Sequence, residues 1–518
     1  MKVRAVTDLV VFHYHFLPGG VSSVVRSALR ALRDHGAGIR KVTLAGAAFP
    51  EGGWQGDEPA VRVYPELGYR DGRDPPPAAV AAEGRRLGEE LLRRFGSDNA
   101  IWWVHNHHLG RNPAFTQALL EVARSGKQRL ILQIHDFPEC GRYDNLGRLR
   151  RSLTAPPYPI GPSVRYALIN RRDLAALREA GIPGEHLHLL ENPLEPDDGR
   201  AAAPAAEVRR ALGLAGRPLL LYPVRCIRRK NVLEAALLCR LLPEPAGLAV
   251  TLPGISAEER GYSRCVQRAF ARGWAPGVFG AGRLLQARGL HLEDLFRASD
   301  LVLSASVQEG FGYLFLQSLA WGRPLLARDL DVLEGMRDLF AGRPVELYRE
   351  VRAPLPARAR RRLLEAYRRK LDRLAGSGLL PEETTRDLEG RLESACGQSE
   401  VEFSFLPAAG QLELLRAAGR EARLAARLRE LNCGPLQSLE RLLAEGARGG
   451  APEPPGPELA GRLQQRFGLE RFAAAFDGIC RSFAGQAAGS SAPEEAAVWE
   501  RIIRRFATVE NVRLLHGD

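Results

Sequence analysis

Nowhere in its 518 residues does the chain contain a run of about 18 apolar residues, the length a membrane-spanning helix needs. That absence argues against a transmembrane protein. The opening stretch, MKVRAVTDLVVFHYHF, carries charges and has no small-residue cleavage site, so it reads as a first buried strand and not as a secretion signal. Cysteine is scarce and scattered, seven residues at 140, 226, 239, 265, 396, 433 and 480, with no C-x-x-C pair. An odd count without metal-like spacing fits reduced, structural thiols and a cytoplasmic protein. Lysine is nearly missing: of 73 basic residues five are Lys and 68 are Arg. Such a bias reflects genome base composition more than a selected binding surface. There are no basic patches interleaved with aromatics and no recognisable nucleic-acid module, so no nucleic-acid partner is expected. What is present is a net charge of +12, which suits a phosphate-bearing ligand, and an ordinary 45% of hydrophobic residues.

The first two-thirds alternates strand-like and helix-like segments, the pattern of a parallel α/β sheet. DLVVFHYHF (8–16) is followed by LPGG and by VSSVVRSALRALRDHG, in which Val21, Val24, Val25, Ala28, Leu29 and Leu32 have helical spacing and Gly36 is a stop. Further strand candidates lie at 99–106, 129–136 and 164–170. A Pro/Ala-rich polar stretch, ENPLEPDDGRAAAPAAE (191–207), has the composition of a linker. The alternation restarts at 217–242 and continues through 247–254, 275–281 and 298–306. Beyond about 345 the segments are amphipathic helices with few strands between them. The expected organisation is an N-terminal domain over 1–192, a linker over 193–207, a second α/β domain over 208–345 and a helical extension over 346–518. Two α/β domains joined by a linker make a cleft, where small ligands usually bind.

Three constellations carry chemistry. In FLPGGVSSVV, Gly19 and Gly20 permit positive φ and close backbone approach, and Ser22 and Ser23 are possible caps for a helix start that attracts anions. In VRCIRRKN, Arg225 and Lys230 emerge at the carboxyl end of a parallel strand, where such sheets bind ligands. Arg grips a phosphate bidentately and Lys adds a mobile point charge. Arg228 and Arg229 beside them read as a solvated basic helix start. The third is SVQEGFGYLFLQSLAWG, in which Glu309 sits with Gly310, Phe311 and Gly312 in a turn that opens a helix. Backbone N–H groups at that start suit phosphate or sugar hydroxyls, and a carboxylate accepts hydrogen bonds from the latter.

In this order, over two α/β domains, the three elements resemble the retaining glycosyltransferases of the GT-B fold, in particular the large family four. Its pattern is an N-terminal Gly-Gly loop, an Arg-x4-Lys and a Glu-x7-Glu, met here by Gly19–Gly20, Arg225 with Lys230, and Glu309 with Gln317. The likeness covers about residues 8–340. It implies that Arg225 and Lys230 neutralise the diphosphate of a sugar nucleotide and that Glu309 orients the transferred sugar. Gly310, Phe311 and Gly312 would complete that pocket, with Gly19 and Gly20 against the diphosphate or acceptor and His135, in LQIHDF, near the reaction centre. Gln317 departs from the family's second Glu, which holds the ribose hydroxyls; it keeps one carbonyl acceptor and gains an N–H donor. Retention in this family is drawn as front-face attack, needing neither a glycosidase-like pair of carboxylates nor a metal or cofactor. The sequence DLD (329–331) follows the donor helix as an ordinary loop.

HNHHLGRNP (105–113) and HDFPECGRYDN (135–145) are polar, His- and Arg-containing loops at strand ends of the N-terminal domain, and Asp136, Arg142 and Asn145 are candidates for binding an acceptor there: a small molecule, glycan or lipid, with a small anionic one leading. Residues 358–373 hold eight Arg/Lys and two Asp/Glu, with Leu363, Tyr367, Leu371 and Leu374 at helical spacing. Such a helix suits peripheral contact with an anionic membrane, and better suits packing on the catalytic domains with a solvated Arg face. The rival to a transferase is a catalytically silent GT-B-like protein that binds nucleotide sugars or scaffolds partners. Gln317 keeps that rival open.

Overall fold

The computed structural model describes residues 7–36, 38–51, 53, 54, 59–70, 72, 75–195, 201, 203–254, 256–448, 455–484 and 494–513. Residues 196–200 and 202 of the expected linker lie outside the described residues. The chain forms two compact units, one from Met1–Pro196, Leu374–Thr384 and Gln464–Thr508, the other from Asp197–Arg373, Thr385–Leu463 and Val509–Asp518.

The first unit is built on a parallel sheet of seven strands: β1 (Thr7–Phe12), β2 (Ile39–Gly46), β3 (Ala60–Val63), β4 (Ala100–His105), β5 (Arg129–Ile134), β6 (Val164–Leu168) and β7 (Leu187–Leu189). Their order across the sheet is β3-β2-β1-β4-β5-β6-β7. Strands covered on both faces need no polar alternation, and AIWWVH of β4 is buried throughout. The helix Gly20–His35 ends, as its sequence predicts, at Gly36, which adopts φ 62° and donates its N–H to Leu32 O. Val25, Ala28 and Leu32 of that helix share a core with Trp103 and with Phe472 and Phe476 of the helix Leu469–Ser482. A piece of the C-terminal extension therefore completes the core of the first unit. β1 stops at Phe12, short of the apolar run that predicts it, and beyond it Phe16 donates its N–H to Ala48 O at 2.8 Å.

The second unit carries six parallel strands: β8 (Leu219–Cys226), β9 (Gly247–Pro253), β10 (Gly277–Phe279), β11 (Leu301–Ser304), β12 (Leu325–Arg328) and β13 (Val345–Tyr348), in the order β10-β9-β8-β11-β12-β13. A separate antiparallel pair joins β14 (Arg352–Pro354) to β15 (Glu400–Glu402). Helices of the extension, among them Ala408–Ala418, belong to this unit. In the basic helix Ala357–Gly376 the apolar residues Leu363, Tyr367 and Leu371 are buried, and Tyr367 donates its hydroxyl to Phe405 O at 3.0 Å. Among the described residues no helix is long and apolar enough to cross a membrane. No disulfide links any of the seven cysteines.

Each large sheet reverses its strand order once, between β1 and β4 in the first and between β8 and β11 in the second. Connections leave in opposite directions there, which opens a crevice at the carboxyl ends where α/β sheets bind ligands. The only two non-glycine residues with positive φ among the described residues stand next to these points: Asn106 (φ 55°) after β4 and Asn231 (φ 48°) after β8. Strained backbone of this kind collects at functional sites.

Candidate active site

In the second unit the reversal brings together the segment after β8 and the turn after β11. Val307 N–H donates to Arg229 O at 2.9 Å, and Arg229 Nη1 donates to Gln308 O at 3.1 Å. The buried Tyr222 hydroxyl donates to Lys230 O at 2.7 Å and lies 2.7 Å from Ser306 Oγ. These bonds hold Lys230 beside Glu309, whose Oε1 accepts from Lys230 Nζ while Arg229 Nη1 stands 3.8 Å from its Oε2. The Glu309 side chain is 10% exposed. Burial pushes its pKa up, but the charges of Lys230 and Arg229, with hydrogen bonds from Lys230 and Ser306, outweigh burial and hold the carboxyl below its ordinary range. It is ionised at neutral pH and can accept hydroxyl hydrogen bonds.

Arg225 lies on β8 at a register shift relative to β9, a third exposed, with Nη1 3.9 Å from Glu259 Oε1. Gly312, at φ 95°, begins the helix Tyr313–Ala320, and a Cβ there would come within 2.9 Å of Phe315 Cδ2, so only glycine suits the turn. Phe311 is buried against Tyr313 with ring centroids 5.1 Å apart. Gln317 is half-buried on the same helix, about one turn beyond its first residue, Tyr313.

Gly19 and Gly20 open the helix after β1, but neither adopts the left-handed conformation. Gly19 is extended (φ 174°), and Ser22 and Ser23 do not cap the helix: the Ser22 hydroxyl donates to Leu17 O at 2.7 Å. A Cβ on Gly20 would meet nothing within 4 Å, so the helix start is open at that position.

The reversal point of the first unit gathers histidines. His135 Nε2 lies 2.9 Å from His105 Nδ1, with the rings stacked, and His13 Nδ1 lies 3.4 Å from His105 O. Asn106 Oδ1 accepts from the His135 N–H at 2.8 Å, so the strained residue fixes the backbone that carries His135. Burial lowers the pKa of His135 to about 4 and that of His13 to about 3, so both rings are neutral at pH 7. Of the acceptor candidates, Arg142 Nη2 and Asp136 Oδ2 form an ion pair at 3.2 Å on a partly open edge. Asn145 is buried and donates its amide to Leu109 O at 2.9 Å, so it braces the loop.

Sequence reasoning missed Arg229 and misplaced Arg228. Arg228 is buried, donating to Ser404 O at 3.2 Å and Leu406 O at 2.6 Å and lying over the Tyr262 ring at 5.5 Å. Nothing local distinguishes the two arginines, because the partners of Arg228 lie some 176 residues further along the chain. His13 was passed over as part of a strand, whereas the loop 105–113 was expected on the acceptor side, and its His105 and Asn106 do stand against His135.

No protein-family model matches the chain. The mannosylglucosyl-3-phosphoglycerate synthase of Petrotoga mobilis is 30% identical over 538 residues, covering 98% of this chain and 99% of that protein. Among solved structures, the sucrose-phosphate synthase of Thermosynechococcus elongatus has a TM-score of 0.51 at 12% identity, covering 92% of this chain and 98% of that one. At that identity the likeness concerns the fold, two Rossmann-like domains of the GT-B class.

Proposed function

The chain belongs to the glycosyltransferase family of the Petrotoga synthase, and from that premise we propose that it is a retaining, metal-independent hexosyltransferase. Its donor in this reading is a nucleotide-diphosphate sugar, and its acceptor is a hydroxyl on a small phosphorylated acid. The observation that carries the reading is the ionised Glu309 held between Lys230 and Arg229 at the reversal point of the second sheet. A protonated lysine has three donors, so one Nζ can serve Glu309 and a diphosphate oxygen together. Arg225 adds a second cation for the charge that grows on the leaving diphosphate, and fixed charge aimed at where charge develops usually lowers such a barrier more than any other single effect. Glu309 accepts from the sugar hydroxyls, the helix start at Gly312 offers N–H groups, and the Gln317 amide takes the ribose. The bond from the anomeric carbon to the diphosphate oxygen breaks, the bond to the acceptor oxygen forms on the same face, and the acceptor proton passes to the leaving diphosphate.

The relative is named as the synthase of mannosylglucosyl-3-phosphoglycerate. An acceptor of that kind, bearing phosphate and carboxylate, suits a chain of net charge +12. We place it at the carboxyl edge of the first sheet, around His135, Asp136 and Arg142.

The test is nucleotide release from UDP-, GDP- and ADP-sugars with a phosphoglycerate glycoside as acceptor. Release from one donor is expected, falling about 100-fold or more in Glu309→Ala and in Arg225→Ala. Donor binding without release from any donor would instead favour a silent nucleotide-sugar-binding protein, with Gln317 as its cause.

A further inference from the structure

Asn231 links Lys230 to the helix Val232–Leu241 through its left-handed conformation (φ 48°, ψ 41°), and so sets the direction in which Lys230 leaves the backbone. Asn tolerates this region better than other non-glycine residues, yet it still needs support. Both polar ends of its buried side chain are engaged. Nδ2 donates to Glu234 Oε2 at 2.7 Å, and Oδ1 accepts from Gln411 Nε2 at 3.0 Å. Gln411 lies in the extension, on the helix Ala408–Ala418, and also donates to Phe403 O at 3.0 Å. Its own Oε1 is buried without a partner, a cost that an apolar side chain of the same length would avoid. The extension reaches the donor turn a second time, where Gln308 Nε2 donates to Asn511 Oδ1 at 3.3 Å.

We propose that Gln411 is a positioning residue for the donor site: by bracing Asn231 it keeps Lys230 on Glu309, so the helical extension sets the affinity for the diphosphate. This rests on the function proposed above. The test compares Gln411→Met, which keeps the length but removes both donated bonds, with Asn231→Gly and the double variant. One readout is the dissociation constant for UDP, GDP and ADP by calorimetry. The other, independent of any ligand, is the NMR signal of Lys230 after reductive ¹³C-methylation of the lysines, assigned by its loss in Lys230→Arg.

Each single variant is expected to weaken the nucleotide that the native chain binds by about 2–10-fold and to shift the Lys230 signal. The double variant should lose less than the product of the two single losses, because the bond between Gln411 and Asn231 is common to both. Native affinity with an unmoved Lys230 signal in Gln411→Met overturns the proposal, as does a lowered unfolding temperature alone, or effects that multiply in the double variant. Should Gln411→Met not fold, Asn231→Gly decides by the same readouts, since glycine takes the left-handed turn without a Cβ. Failure of the native chain to bind any of the three nucleotides would sink the function proposed above, and the Lys230 signal would still decide the positioning.

Discussion

Glu139 and five histidines of the first unit, His13, His105, His107, His108 and His135, are buried ionisable groups whose pH responses have opposite sign. Burial lowers His13 to about 3 and His107 and His135 to about 4, and holds His105 and His108 well below the ordinary value. A histidine that takes up its proton less readily when folded contributes stability above about pH 6.5, and that contribution is lost as pH falls through its folded value. Glu139 behaves in reverse. Burial raises it to about 7, although Trp499 Nε1 and the Tyr158 hydroxyl donate to it at 2.8 and 3.0 Å. Its contribution is full below about pH 4.5 and gone above about pH 7. Three or more histidines outweigh one carboxyl, so the unfolding temperature of the native chain should fall as pH is lowered from 6.5 to 4. Glu139→Gln removes only the opposing slope, and should gain on the native chain by up to ~3 kcal/mol between pH 4.5 and 7. Denaturant titration at stepped pH reads this directly, and parallel curves for the two chains would exclude Glu139 as the group. None of this was legible beforehand, because a sequence gives histidines without their burial. The places of Arg225, Lys230 and Glu309 were legible, since the apolar runs before them mark the strands they follow.

Among the elements, the joint between β12, β15 and the helix Val232–Leu241 depends on a buried ionic network. Arg328 donates to Glu234 at 2.7 and 2.5 Å and to Glu402 at 2.8 Å, the Tyr348 hydroxyl donates to Glu234 at 2.9 Å, and Arg513 stands 3.3 Å from Glu402. Burial alone would lower the pKa of Arg328; the two carboxylates reverse this and lift it above the ordinary range. Two arginines balance two carboxylates, and removing one partner leaves charge buried without compensation. Arg328→Met should therefore cost about 3–5 kcal/mol in the second unit, measured by denaturant unfolding. A loss below about 1 kcal/mol would show that water or rearrangement compensates the carboxylates. The strand β12 that carries Arg328 spans only Leu325–Arg328, too short for a period to show. Gly20–His35, with sixteen residues and a clear stop, was legible for the converse reason.

The whole molecule distributes its C-terminal third between the two units, residues 374–384 and 464–508 to the first and 346–373, 385–463 and 509–518 to the second. The last described residues therefore carry weight. Arg513 supports Glu402 and Ser404, and its carbonyl accepts from the buried Lys370 Nζ at 2.8 Å. Truncation after residue 508 should lower the calorimetric transition of the second unit by about 2–4 °C for each kcal/mol lost and leave that of the first in place. An unmoved second transition would show that Arg513 adds nothing. The sequence announced a helical extension from its amphipathic spacing, but not its division, because an amphipathic helix states that it has a partner without naming which one.

By itself the sequence determined two parallel α/β sheets, the strand ends that carry Arg225, Lys230 and Glu309, and a helical C-terminal third. These follow from periodicity and from chemistry confined to a few neighbouring residues. Only the tertiary structure decided that Arg228 braces the extension while Arg229 faces Glu309, that His13 and His135 are neutral, and that Gln411 reaches Asn231 across 180 residues. The physical reason is that desolvation and ion pairing depend on groups brought close by folding, and separation along the chain does not encode which groups those are.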